Sequence, residues 1–247
     1  MPALAAFAEK IRAVEAMIEQ ERARDPSNPS DRPLVLGLRC GAAVMMVAAF
    51  ERFLREVFKD YVSFLDCNPP MNWSSPLPES IRLWNIYENL RLVAGHHLNT
   101  KRKQLIAEMQ PVRNLCDKLS KDIIVADAFS SMKSNPTSTT LRMMFQKLGV
   151  DNIFQEIHAE FASIYHPIPL RLFIETELDR IVKRRHDAAH TADATQFTGT
   201  DLVNDLQIMK SLAKAIDSKL KQTVDEIIVK YASLGMACYS DLSSLFR

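Results

Sequence analysis

Apolar residues recur at steps of three, four and seven along nearly the whole chain, the period of one helix face. Leu202, Leu206, Met209, Ala213, Ile216, Leu220, Ile227 and Tyr231 form one long stripe. In the 43–66 segment a polar face of Arg52, Arg55, Glu56, Lys59, Asp60 and Ser63 lies opposite Val47, Phe50, Leu54, Val57, Phe58, Tyr61 and Leu65. Strand-like alternation of β-branched residues is nearly absent. Breaks fall at RDPSNPSDRP (24–33), CNPPMNWSSPLP (67–78), SNPTSTT (134–140) and YHPIP (165–169), where proline and asparagine interrupt helical hydrogen bonding. The pattern predicts helices over roughly 3–23, 33–66, 79–108, 112–133, 138–148, 151–160, 170–190 and 200–233. The expectation is an all-α bundle in a single domain, residues 1–234, with a helical insert at about 67–137 and a tail at 235–247.

Composition narrows the function classes. Apolar residues are 47% and charged residues 25% of the chain, a globular balance rather than a disordered one. A formal net charge of +1 excludes a histone-like polycation, so any nucleic-acid contact rests on local patches. Cys40, Cys67, Cys116 and Cys238 form no CxxC pair, which argues against a zinc ribbon or a disulfide framework and fits a reducing compartment. The N-terminal MPALAAFAEKIRAVEAMIEQ carries charges within its apolar pattern, unlike a signal peptide. The run CGAAVMMVAAF (40–50) stops at Glu51, too short to cross a bilayer. A cytoplasmic protein without membrane contact is expected.

Candidate chemistry concentrates in KRRHDAAHTAD (183–193). One reading is a solvated helix end, since Lys183, Arg184, Arg185 and His190 would complement the helix dipole, with Asp179 and Lys183 paired at i,i+4. A second is a metal site: His186 and His190 at i,i+4 share one helix face, as in H-E-x-x-H peptidases. Asp187 is shorter than the glutamate those enzymes use, and the nearby third ligands are only aspartates such as Asp193 or Asp205. Three upstream cations also oppose a divalent ion, so neither metal nor cofactor is expected.

The third reading is phosphate chemistry. Arg185-x4-His190 resembles the R-x(4–6)-H signature of HEPN domains, and ELDRIVKRRHDAAH resembles the last core helix of the RiboL-PSP-type HEPN group. LRCGAAVMMVAAFERFLREVFKDYVSFL (38–65), with an acidic residue at Glu51, is similar to that group's long second helix. TSTTLRMMFQKLGVDNIF (137–154) follows in the same order, and the likeness covers about 30–220. His186 stands where asparagine is commonest, and Thr191 where a glycine often follows.

The resemblance implies a HEPN-like up-and-down helical bundle and metal-independent RNA cleavage. The ribose 2′-hydroxyl attacks phosphorus and expels the 5′-oxygen. Histidine can take or give the protons near neutral pH, and Arg185 can fork donors onto phosphate. His190 is then the general base or acid, and His186 positions the phosphate or shares the proton transfer. Residues five apart on a continuous helix are displaced by about 140°, so Arg185 and His190 need a helix break or a second copy. The family's solution is a homodimer with one shared cleft. Glu51 either pairs with Arg55 or holds Arg184 or Arg185. Lys183, Lys101, Arg102 and Lys103 either track RNA or form a solvated face. The resemblance further implies a toxin–antitoxin, stress or phage-defence role with an antitoxin or regulatory protein as partner. The alternative is a non-catalytic HEPN scaffold that binds RNA or a protein.

Overall fold

The computed structural model describes residues 2–67, 79–97, 113–114, 116–117, 124–132, 135–165, 170, 172–191 and 194–232. These are mostly helical and contain no strand, in agreement with an all-α fold. In chain order the helices are α1 (Pro2–Arg22), α2 (Arg32–Cys67), α3 (Glu79–His97), α4 (Ala126–Ser130), α5 (Ser138–Gln146), α6 (Ile153–Glu156), α7 (His158–Ile164), α8 (Phe173–Thr191) and α9 (Gly199–Ala232). The two longest periodic stretches give the two longest of these, α2 at 36 residues and α9 at 34.

The chain forms two compact units. The first comprises residues 1–55, 132–143 and 152–219, and holds α1, most of α2, α5 in part, α6 to α8, and most of α9. Its core includes Phe7, Ile11 and Val14 of α1 with Met46, Phe50 and Phe53 of α2. The Phe7 ring lies 5.3 Å from Phe53 and 6.2 Å from Phe50, distances at which aromatic pairs add to burial. The second unit comprises residues 56–131, 144–151 and 220–247. Phe58 meets Phe145 edge-on at 5.0 Å there, and the buried Lys147 donates to the Ala128 carbonyl at 3.0 Å.

α2 matches the expected 33–66 helix to within a residue at each end, but its apolar stretch is longer than the 40–50 run suggested. The apolar run does not end at Glu51 as a structural element, and Arg32–Leu65 is long and apolar enough by length and composition to cross a membrane. Inside the fold it is a core helix. Phe50, Phe53 and Leu54 are buried, and Arg39 within the apolar stretch donates through Nε to Glu21 at 2.6 Å. Arg39 also donates to the Phe197 carbonyl at 3.1 Å. At this junction the backbone of Gly199 approaches so closely that a Cβ there would overlap the Glu21 carboxylate.

Two predicted helices are divided. The expected 112–133 helix is interrupted at Ile124 and Val125, where Val125 is extended at φ −99 and ψ 101. The side-chain carbonyl of Asn85 takes the Val125 N–H at 2.9 Å, so a tertiary bond replaces the helical one. The 151–160 segment resolves into α6 and α7, broken at Ile157. α3 matches the start of the expected 79–108 helix, and residues 98–108 lie outside the described residues.

Candidate functional site

α8 carries the charged string, and its faces are set by its apolar period. Ile174, Leu178, Ile181, Val182 and Ala188 are buried. Arg185 falls four residues after Ile181 and three before Ala188, which puts it on the inward stripe. Lys183, His186 and His190, spaced by three and four, are exposed. The helix stays unbroken through Thr191, so the break that could have turned Arg185 and His190 toward each other is absent. Within one chain they diverge by about 140°.

Arg184 is occupied by structure. Its Nη1 donates to Asp205 Oδ2 at 2.7 Å and its Nη2 to Asp201 Oδ1 at 3.0 Å, and its guanidinium lies 5.7 Å from the Phe197 ring centroid. Arg180, one turn earlier, donates to Asp205 Oδ1 at 2.7 Å and also pairs with Glu177. Two arginines at i,i+4 on α8 thus meet two aspartates at i,i+4 on α9. Asp205 is 1% exposed. Burial pushes its carboxyl above the usual carboxylate range, against the downward pull of Arg184 and Arg180. Asp201 is held below that range, first by the Thr198 backbone N–H, with burial opposing.

Arg185 has a different environment. Nη1 reaches Asn135 Oδ1 only at 3.4 Å, and Nε is buried without a hydrogen-bond partner among the described residues. Such a donor is costly, about 1–3 kcal/mol. The turn bearing Asn135 is well fixed. The Asn135 carbonyl accepts from Thr137 N at 2.8 Å and from Thr140 Oγ1 at 2.9 Å. Asp179 accepts from Ser138 N and Oγ, each at 2.7 Å. The expected Asp179–Lys183 pair is therefore replaced by a cap on α5, because a backbone amide at a helix N-terminus is the better-placed donor.

The two imidazoles lie together on the open face, with ring centroids 4.3 Å apart and planes tilted by 49°. Neither hydrogen-bonds to another described residue. Glu51 takes the nearer of its two expected partners, Arg55 Nη2 at 2.5 Å. It is not brought to Arg184 or Arg185, whose donors go to α9 and to Asn135. Lys101, Arg102 and Lys103 lie outside the described residues. Among the described residues no three His, Cys, Asp or Glu side chains are grouped to hold a metal. An open groove of about 670 Å³ between Arg142, Phe154, His158 and Glu175 lies toward the other end of α8. Glu175 is ten residues before Arg185, about 15 Å along the axis, so the groove is separate from the charged string.

Sequence reasoning missed Asn135, and it weighed Asp205 only as a metal ligand. The signal for Asp205 was present in the matched spacing of Arg180/Arg184 and Asp201/Asp205. Asn135 left none, being 50 residues from Arg185.

A helical chain with an arginine–histidine motif closing a core helix defines the HEPN class. More narrowly, the RiboL-PSP-HEPN family model matches residues 7–222, and the chain belongs to that family. No curated protein and no solved structure matches it. Family membership supports a nuclease or RNA-binding role.

Proposed function

We propose that the protein is a metal-independent endoribonuclease acting as a homodimer. The observation that carries this reading is Arg185-x4-His190 at the end of α8, inside the family-matched span. The environment of Arg185 supports it: among the described residues its guanidinium makes one long bond, through Nη1 to Asn135, and no ion pair. Cleavage forms a bond from the 2′-oxygen to phosphorus and breaks the bond to the 5′-oxygen. The products are a 2′,3′-cyclic phosphate and a 5′-hydroxyl. His190 removes the 2′ proton or delivers one to the leaving oxygen, while Arg185 stabilises the crowded phosphate. His186, on the same exposed face, positions the phosphate or shares the proton transfer, and Lys183 extends the positive surface.

Because Arg185 and His190 face apart on one helix, the reading requires a second copy whose motif completes the site. A cytoplasmic role in toxin–antitoxin, stress or phage defence, restrained by a partner protein, goes with it. The test is cleavage of single-stranded RNA by purified protein in EDTA, with cyclic-phosphate ends. Arg185→Ala and His190→Ala should each abolish cutting, and cutting that persists in both refutes the assignment. One observation favours a second reading, an RNA- or protein-binding scaffold: Arg185 lies on the inward stripe and is already bonded to Asn135. RNA binding without turnover, insensitive to His190→Ala, would establish that reading.

A further inference from the structure

We infer that His186 and His190 form a two-imidazole chelating site for a divalent transition ion, copper(II) or nickel(II) in preference to zinc. The rings project from one exposed face of an unbroken helix, with centroids 4.3 Å apart. With metal–nitrogen bonds of about 2.1 Å, each ring centre lies about 3.2 Å from a shared ion. Adjacent corners of a square plane then place the centres about 4.5 Å apart, and a tetrahedron about 5.2 Å. The observed spacing of 4.3 Å is compatible with both rings reaching one ion, and copper(II), which favours square-planar nitrogen sites, heads the affinity order.

The three cations before His186 oppose this less than their sequence suggests. Arg184 is neutralised by Asp201 and Asp205, and Arg185 points to the inward side of the helix. Lys183, three residues before His186, is accompanied on the same segment by the carboxylate of Asp187, beside His186. Two protein ligands suffice for a chelate whose remaining positions are water.

Chelation occupies the lone pair that His190 needs for proton transfer. On the reading of this site as a nuclease, on which this consequence rests, the ion is an inhibitor and not a cofactor. Calorimetric titration of the full chain with nickel(II), without RNA, tests the site itself. One ion should bind per chain. His186→Gln and His190→Gln, both at exposed positions, should each weaken binding at least tenfold, and His158→Gln should leave it unchanged. Unchanged affinity in both site variants, or an equal loss in His158→Gln, overturns the inference. Because no RNA is present, the result stands apart from whether the chain cleaves. If it cleaves, nickel(II) should inhibit the wild type and EDTA should restore it. Cleavage unaffected by saturating nickel(II) overturns the inhibitory consequence.

Discussion

Arg184 and Arg185 are adjacent in the chain and have opposite surroundings. The first is spread over two carboxylates and an aromatic ring at the junction of α8 and α9. The second has one long contact with Asn135 and a buried Nε that bonds to nothing described. A guanidinium whose donors are satisfied holds structure, and removing it exposes its partners to unpaired burial. One whose donors are poorly used contributes little to folding, and any of them that reaches the surface stays available to an incoming anion. The contrast separates the framework of α8 from its chemistry, one residue apart.

The comparison breaks most sharply at the carboxylate end. Asp205→Ala leaves Arg180 and Arg184 facing a buried gap. The expected loss is about 3 kcal/mol, the low end for one partner of a buried pair because both arginines reach solvent in part. Denaturant unfolding measures it, and a loss under about 1 kcal/mol would show that the clamp is dispensable. Next come the arginines themselves. Arg184→Ala should lower the melting temperature by several degrees. Arg185→Ala should leave it within about a degree or two, since it deletes an unsatisfied donor along with a weak bond. Activity should run the other way, with Arg185→Ala reducing cleavage at least about 100-fold. If both variants lose stability equally, the division of labour is wrong. A smaller effect belongs to Asp179→Ala, which removes the cap on Ser138 and should destabilise by about 1 kcal/mol.

Legibility from sequence followed the range of the interactions. α2 and α9 could be read to within a residue or two because their amphipathic period is local and sustained over many turns. The interruption at Val125 could not, since its cause is a bond to Asn85, 40 residues away. At the site the arginine–histidine string and its helix were readable, and so was their divergence of about 140°. The inward direction of Arg185 was implicit in its spacing from Ile181 and Ala188. Its neighbour Asn135 depends on how the α5 turn packs, which no local pattern encodes. Glu51 showed the same limit. Its partner one turn away was foreseeable, whereas contact with Arg184 depended on a tertiary placement that Asp201 and Asp205 occupy instead.

The finest distinction lies within the clamp, between the two aspartates that share Arg184. The Thr198 backbone N–H is the largest influence holding Asp201 below its ordinary value, with the Thr198 hydroxyl and Arg184 adding to it and burial opposing. A depressed folded value means that the unfolded chain binds the proton more readily. Asp201 therefore contributes stability above about 3.8 that is lost as pH falls further through its folded value. Asp205 carries the opposite sign, because burial raises it. Its contribution is present below about 3.8 and is lost as pH rises through the elevated folded value. Melting temperatures taken from pH 3 to pH 6 should therefore show opposed changes in the two amide variants. Asp201→Asn should flatten the acid side of the profile, and Asp205→Asn should remove a decline above about pH 3.8. Identical profiles for the two variants would mean that the shared guanidinium, rather than burial and the Thr198 amide, sets both carboxylates.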